Sequence, residues 1–257
     1  MKSKAKNILP ILVLLIFGFQ SIAQTSVEKR PNIIFIMSDD HAYQAISAYD
    51  NKLIETPNID RIAKMGMLFT NASVTNSICA PSRATILTGK HSHINGKIDN
   101  HFPFDTANIT FPQILQKAGY QTAMFGKLHF GNRPKGFDQF KILPGQGSYY
   151  NPDFITKNDG NIKVDGYVTD IVTDMTLDWL QNERKAEEPF MLMYLHKAPH
   201  REWLRLQPSW AAMGKGAGTG ILIKDAKSLE NGKTIDTLIL DKTGTITEGP
   251  KSYRHFL

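Results

Sequence analysis

Four short strings hold the residue types that could do chemistry. The first, Ser77-Ile-Cys79-Ala-Pro81-Ser82-Arg83, runs on into Leu87-Thr-Gly89-Lys90 and contains the only cysteine of the chain. Pro81 donates no backbone hydrogen bond but fits a first helical turn, so the string predicts a helix that starts beside Cys79. The positive end of a helix dipole would then favour a nucleophile facing an anion, although a lone thiol also serves as a small buried apolar residue. The second string, Ser38-Asp39-Asp40-His41, offers adjacent carboxylates to a hard cation such as Ca²⁺ or Mg²⁺, or one aspartate as a helix cap. The third is Gly126-Lys127-Leu-His129-Phe-Gly131. A lysine and a histidine two apart share one side of an extended segment, where both can meet one anionic group. Solvent exposure for Lys127 and a structural hydrogen bond for His129 are the plainer uses. The fourth is His196-Lys197-Ala-Pro199-His200.

The elements that must position these strings can be read from their flanks. Continuous apolar runs at residues 32–37, 120–125 and 189–195 predict parallel strands buried on both faces. Proline-first, glycine-last patterns at 56–66 and 111–119 predict helices, and a further apolar period covers about 168–182. A helix is expected from about Ala42, a short strand at 67–69, and a turn-rich loop over 144–152, Pro144-Gly-Gln-Gly147-Ser148-Tyr-Tyr-Asn-Pro152. Strand and helix alternate, which argues for an α/β layered fold with a mostly parallel sheet. Ligand sites of such sheets lie at the carboxyl ends of the strands. Three strand ends carry Asp39 and Asp40, Lys127 and His129, and Lys197 and His200, and the Cys79 helix start falls between them.

Cys-x-Pro-Ser-Arg followed by Leu-Thr-Gly-Lys resembles the modification motif of the sulfatases, and the other strings occur in that family's order. The resemblance covers about residues 31–204, the N-terminal part of a sulfatase catalytic domain. It implies an alkaline-phosphatase-like fold and the hydrolysis of sulfate esters, with the phrases around Ser148 and His200 closest to bacterial carbohydrate sulfatases of the N-acetylglucosamine-6-sulfatase or mucin-desulfating type. It further implies that a separate formylglycine-generating enzyme oxidises Cys79 to Cα-formylglycine, whose hydrated aldehyde attacks sulfur. Asp39 and Asp40 match two ligands of a Ca²⁺ site, for which Mg²⁺ is the alternative. Arg83 and Lys127 match residues that neutralise the anion, and Ser148 a further sulfate contact. His200 or Lys197 would protonate the leaving oxygen, and His129 would release the sulfated intermediate. A phosphate or phosphonate ester hydrolase of the same superfamily is the alternative chemistry.

Lys2, Lys4 and Lys6, an apolar run over 8–19 and Ser21-Ile-Ala23 read as a signal peptide over residues 1–23. The apolar run is shorter than the roughly 20 residues of a transmembrane helix. The expectation is an exported chain, periplasmic or secreted, without stable membrane insertion. The formal charge of +6 is then partly an export signal and not a nucleic-acid footprint. A single cysteine in an oxidising compartment has no internal disulfide partner, which leaves chemical conversion as one explanation of Cys79. The 41% apolar composition is adequate for a core.

Beyond a junction at 205–212 the pattern changes. Gly214-Lys-Gly-Ala-Gly-Thr-Gly220 and then Ile235-Asp-Thr-Leu-Ile-Leu240-Asp241-Lys-Thr-Gly-Thr245 resemble the P-type cation-transporting ATPases, especially the heavy-metal pumps, over 213–250. In those pumps the aspartate of Asp-Lys-Thr-Gly-Thr is phosphorylated, and Asp241 matches it. The pump's membrane, actuator and nucleotide-binding parts have no counterpart here, so a pump fragment without activity is expected. Residues 251–257 match neither family. The sulfatase part would correspondingly have about half of its metal ligands, and its sheet would be incomplete on the C-terminal side.

Overall fold

A computed structural model describes residues 30–201 and the backbone of one later strand. The chain divides after Arg30, and the described strands and helices belong to the second unit, Pro31–Leu257. The signal segment 1–23, the junction 205–212, the pump-like stretch apart from that strand, and the tail 251–257 lie outside the described residues.

The apolar run after Pro31 forms β1 (Asn32–Asp39), buried along nearly its whole length as a strand covered on both faces must be. Where a helix was expected, Tyr43–Ala45 makes only a single 3-10 turn. Helix α1 (Pro57–Met65) begins on its proline and buries none of its residues. Met67, Leu68 and Phe69 do not form the expected strand. They have no ladder partner among the described residues, and Met67 and Phe69 stand 73% and 61% exposed. Helix α2 (Cys79–Thr88) starts on the cysteine and ends at Gly89, whose φ of 65° is the left-handed cap conformation that glycine adopts without strain. Helix α3 (Ser92–Asn95) is a single turn, and α4 (Phe111–Lys117) carries a capping box in which Thr110 and Gln113 exchange side-chain bonds.

The second apolar run extends two residues past the expected end, as β2 (Gln121–Lys127). Three short strands follow that the apolar pattern did not single out: β3 (Gln139–Leu143), β4 (Asp153–Thr156) and β5 (Asn161–Lys163). Helix α5 (Val168–Asp178) continues into one π turn at Trp179–Glu183, together spanning the expected helix. The third apolar run is β6 (Phe190–Pro199), and β7 (Ile235–Lys242) comes from the pump-like segment.

The seven strands form one sheet in the order β5-β4-β3-β2-β6-β1-β7. From β3 to β7 the pairing is parallel, and β4 and β5 close one side antiparallel. Alternation along β6 shows the layering. Met191, Met193 and Leu195 join Ala80, Ala84 and Leu87 of α2 in one core, while Phe190, Leu192 and Tyr194 join Val168, Ile171 and Val172 of α5 in the other. The expected α/β layered, mostly parallel architecture is therefore the one found. Among the described residues no helix is long and apolar enough to cross a membrane.

Two positions carry consequences for stability. Gly126 pairs with Leu195 at φ +105°, and a Cβ there would stand 1.8 Å from the Leu195 carbonyl oxygen of the neighbouring strand. Gly126→Ala is expected to cost at least about 3 kcal/mol, read as a lower urea midpoint at unchanged slope. His196, 1% exposed and beside the Tyr194 ring, has no hydrogen-bond partner for either ring nitrogen among the described residues. Burial alone holds its pKa at about 4, below the ordinary 6.5. The unfolded chain therefore takes up a proton at mildly acid pH that the folded chain refuses, and stability falls as pH drops from 6.5 toward 4. Between about pH 7.5 and pH 5 the loss from this residue is roughly 2 kcal/mol, and His196→Leu should remove that share of the acid slope in denaturation curves.

Candidate active site

The parallel strands deliver their carboxyl ends to one edge, and the first side chain placed there is Asp39, the last residue of β1. A register irregularity between Met37 and Asp39 brings it opposite Pro199. Asp39 is fully buried, and two cations meet it. Arg83, one turn into α2, has Nη2 at 3.6 Å from Asp39 Oδ2 and donates through Nη1 to the Lys127 carbonyl. Lys127, the last residue of β2, ion-pairs with Asp39 Oδ2 through Nζ and also donates to Gln146 Oε1. Arg83 is 2% exposed and Lys127 not at all, so one carboxylate and two basic side chains, formally net positive, are buried together; burial pulls the Lys127 pKa below its ordinary value while the Asp39 carboxylate acts to keep it protonated. Burial by itself would raise the Asp39 carboxyl, but Arg83 and Lys127 outweigh it and hold the group below the usual carboxylate range.

Cys79 lies at the start of α2, half-buried, and its sulfur, an Asp39 oxygen and a His200 ring nitrogen lie within 4.8 Å of one another. Burial pushes the thiol up, and the charge of Asp39 adds to the shift, so the helix start does not yield a thiolate at neutral pH. The N-terminus of α2 is itself fastened, since the Ala80 N–H donates to Asn100 Oδ1 at 3.1 Å. Asn100 was not singled out from the sequence, and a lone asparagine in a polar stretch gives no signal that could have found it.

His129 reaches the site by a different route from the one its spacing suggested. β2 ends at Lys127, and His129 has a left-handed backbone with φ 63°, so a turn and not strand alternation brings the two together. Burial first, then the neighbouring Lys127 and Arg83, lower its pKa to about 4 and leave it neutral. Its Nδ1 is buried without a hydrogen-bond partner among the described residues. His200 is likewise pushed below its ordinary value by burial and by Lys127, while Asp39 and Asp40 pull it back. Tyr149 fixes this corner: its hydroxyl donates to the His200 carbonyl, and its ring lies 4.7 Å from Lys197 Nζ. Lys197 is 2% exposed.

Two expected residues stand apart. Asp40 is exposed with φ 62° and lies outside the Asp39–Cys79–His200 group, although its charge acts on His200. Ser148 is exposed, and the loop contact with the buried cluster is made by Gln146, two residues earlier. Asp241 lies on β7, where its backbone pairs with Met37, one strand away from Asp39. A divalent cation fits Asp39, whose Oδ1 is buried and has no hydrogen-bond partner among the described residues, whereas the exposed Asp40 lies outside the Asp39–Cys79–His200 group.

Comparison with known proteins gives the family. The family model described as Sulfatase matches residues 31–213, a stretch that runs through the segment read as a junction. An N-acetylglucosamine-6-O-sulfatase of Bacteroides thetaiotaomicron is 49% identical over 207 residues, which cover 79% of this chain and 37% of that protein. The N-acetylglucosamine-6-sulfatase of Capra hircus is 31% identical over 200 residues, covering 68% of this chain and 35% of its own. A solved structure described as a complex with its substrate D-glucosamine-2-N,6-O-disulfate superposes with a TM-score of 0.66 at 53% identity, over 68% of this chain and 36% of that one. The chain thus spans little more than a third of the length of these relatives. With the family model covering most of its length and the oxidisable cysteine, the buried acid and the two cations meeting at one sheet edge, the chain belongs to the sulfatase family.

Proposed function

We propose that this chain binds the sulfate group of sulfated carbohydrates, 6-O-sulfated glucosamines above all, and hydrolyses its ester bond. The observation that carries the reading is the buried, net positive cluster of Asp39, Arg83 and Lys127 beside Cys79. An excess positive charge held away from water attracts a tetrahedral anion more strongly than an exposed one would. The sugar is argued from the relatives' names and from the glucosamine disulfate bound in the solved structure.

Asp39 and Asp40 would hold a divalent cation, Ca²⁺ or Mg²⁺, which supplies polarisation of the sulfate oxygens and acidifies a hydroxyl close by. Formylglycine at position 79 would supply that hydroxyl. The raised thiol fits the need for conversion, because a neutral Cys79 is a poor nucleophile as it stands. Arg83 and Lys127 hold the anion against Asp39. His129, neutral well below pH 7, is free to accept a proton at Nδ1. His200 is depressed when the site holds no anion, and the singly charged sulfate ester arriving beside it would raise its proton affinity, so His200 would take a proton from solvent as substrate binds and pass it to the leaving oxygen. Lys197 stands next to it as a second donor. The partners of this reading are the sulfated carbohydrate and a formylglycine-generating enzyme, and the place of work is outside the cytoplasm.

Co-expression with a formylglycine-generating enzyme should convert Cys79, read as the mass of its tryptic peptide; cysteine throughout would leave the site without a nucleophile. The converted chain, loaded with Ca²⁺, should release sulfate from glucosamine 6-O-sulfate in preference to the matching phosphate ester, and the reverse preference would move the assignment to phosphate esters. His129→Ala should lower turnover by about a hundredfold or more while inorganic sulfate still binds in calorimetry. Arg83→Ala should abolish both.

A further inference from the structure

Lys127 has two partners of different kinds: the carboxylate of Asp39 and the neutral side-chain oxygen of Gln146. The second is delivered by a built device. Lys127 pairs with Leu143 at the end of β3, so the turn after β3 begins beside it. That turn, Pro144 to Gly147, is closed by the Gly147 N–H donating to the Pro144 carbonyl at 2.9 Å. Gly147 has φ +69°, and a Cβ there would stand 2.8 Å from Leu143 Cδ1, so only glycine returns the chain at that point.

We propose that Gln146 is a positioning residue of the anion site, whose amide oxygen holds the buried Lys127 ammonium in place without cancelling its charge. This rests on the sulfate-binding reading above. The chemistry of the alternatives supports an amide. A carboxylate at 146 would give Lys127 a second anion and bring the charge of Asp39, Arg83, Lys127 and residue 146 to zero. An apolar side chain would leave a buried ammonium proton without its acceptor. The amide satisfies the proton and leaves the positive charge for an incoming anion.

Inorganic sulfate titrated calorimetrically into the wild-type chain, Gln146→Leu and Gln146→Glu tests the proposal. Gln146→Leu should weaken sulfate by about tenfold through the lost hydrogen bond, and Gln146→Glu by about a hundredfold through the lost charge. With ¹⁵N-labelled lysine, the Lys127 ammonium protons should exchange with water faster in Gln146→Leu than in wild type and stay protected in Gln146→Glu. Equal sulfate affinities in the three proteins, or wild-type exchange in Gln146→Leu, overturn the proposal. Should Gln146→Leu fail to fold, the near-isosteric Gln146→Glu carries the affinity test. If the wild-type chain takes up no sulfate, it is the sulfate-ester reading that falls, and the exchange measurement then decides whether Gln146 holds Lys127.

Discussion

Everything at the site hangs on the carboxylate of Asp39, fully buried at the end of β1 and held by a guanidinium from α2 and an ammonium from β2. Three elements far apart in sequence are tied at one point. Taking three charges out of water is expensive, and a buried ion pair is weak support for stability by itself. Its value lies in what it forbids. With Asp39 removed, two cations would face each other in a low-dielectric interior, so β1, α2 and β2 have one workable arrangement at this edge. The helix that brings Arg83 also brings Cys79, and the strand that brings Lys127 leads into the turn that brings His129.

On the function proposed above, the same electrostatics would make the cysteine a precursor of the nucleophile. A reactive thiolate requires surroundings that lower its pKa, and a helix start with two nearby cations would ordinarily supply them. Burial and the Asp39 carboxylate outweigh both. Lys127 and Arg83 act in favour of a thiolate, but burial first and Asp39 second keep the thiol at position 79 neutral.

What was legible in the sequence was what burial on both faces makes legible. β1, β2 and β6 are continuous apolar runs because each is covered on both sides, and their ends announced Asp39, Lys127 and His200. β3 to β5 were passed over because they are short and lie toward a side where the sheet turns antiparallel and half-exposed. Met67 to Phe69 looked like a strand on local composition, but strand character comes from a partner, and no described residue pairs with it. The loop at 144–152 was recognised as a loop, yet which of its polar residues turns inward was hidden, since glycine-set turns carry no periodicity. Gln146 and Ser148 are two residues apart and meet opposite fates. Likewise the left-handed backbone of His129 broke the alternation by which its side chain had been placed.

β7 runs parallel to β1 from Asn32 to Ser38, although residues 200–234 separate it in sequence from β6, the strand on the other side of β1. Ladder hydrogen bonds join main chain to main chain and consult no side-chain identity. An open border of a parallel sheet is therefore hospitable to any apolar, strand-competent segment of fitting length, which makes the flank of β1 tolerant of what pairs with it.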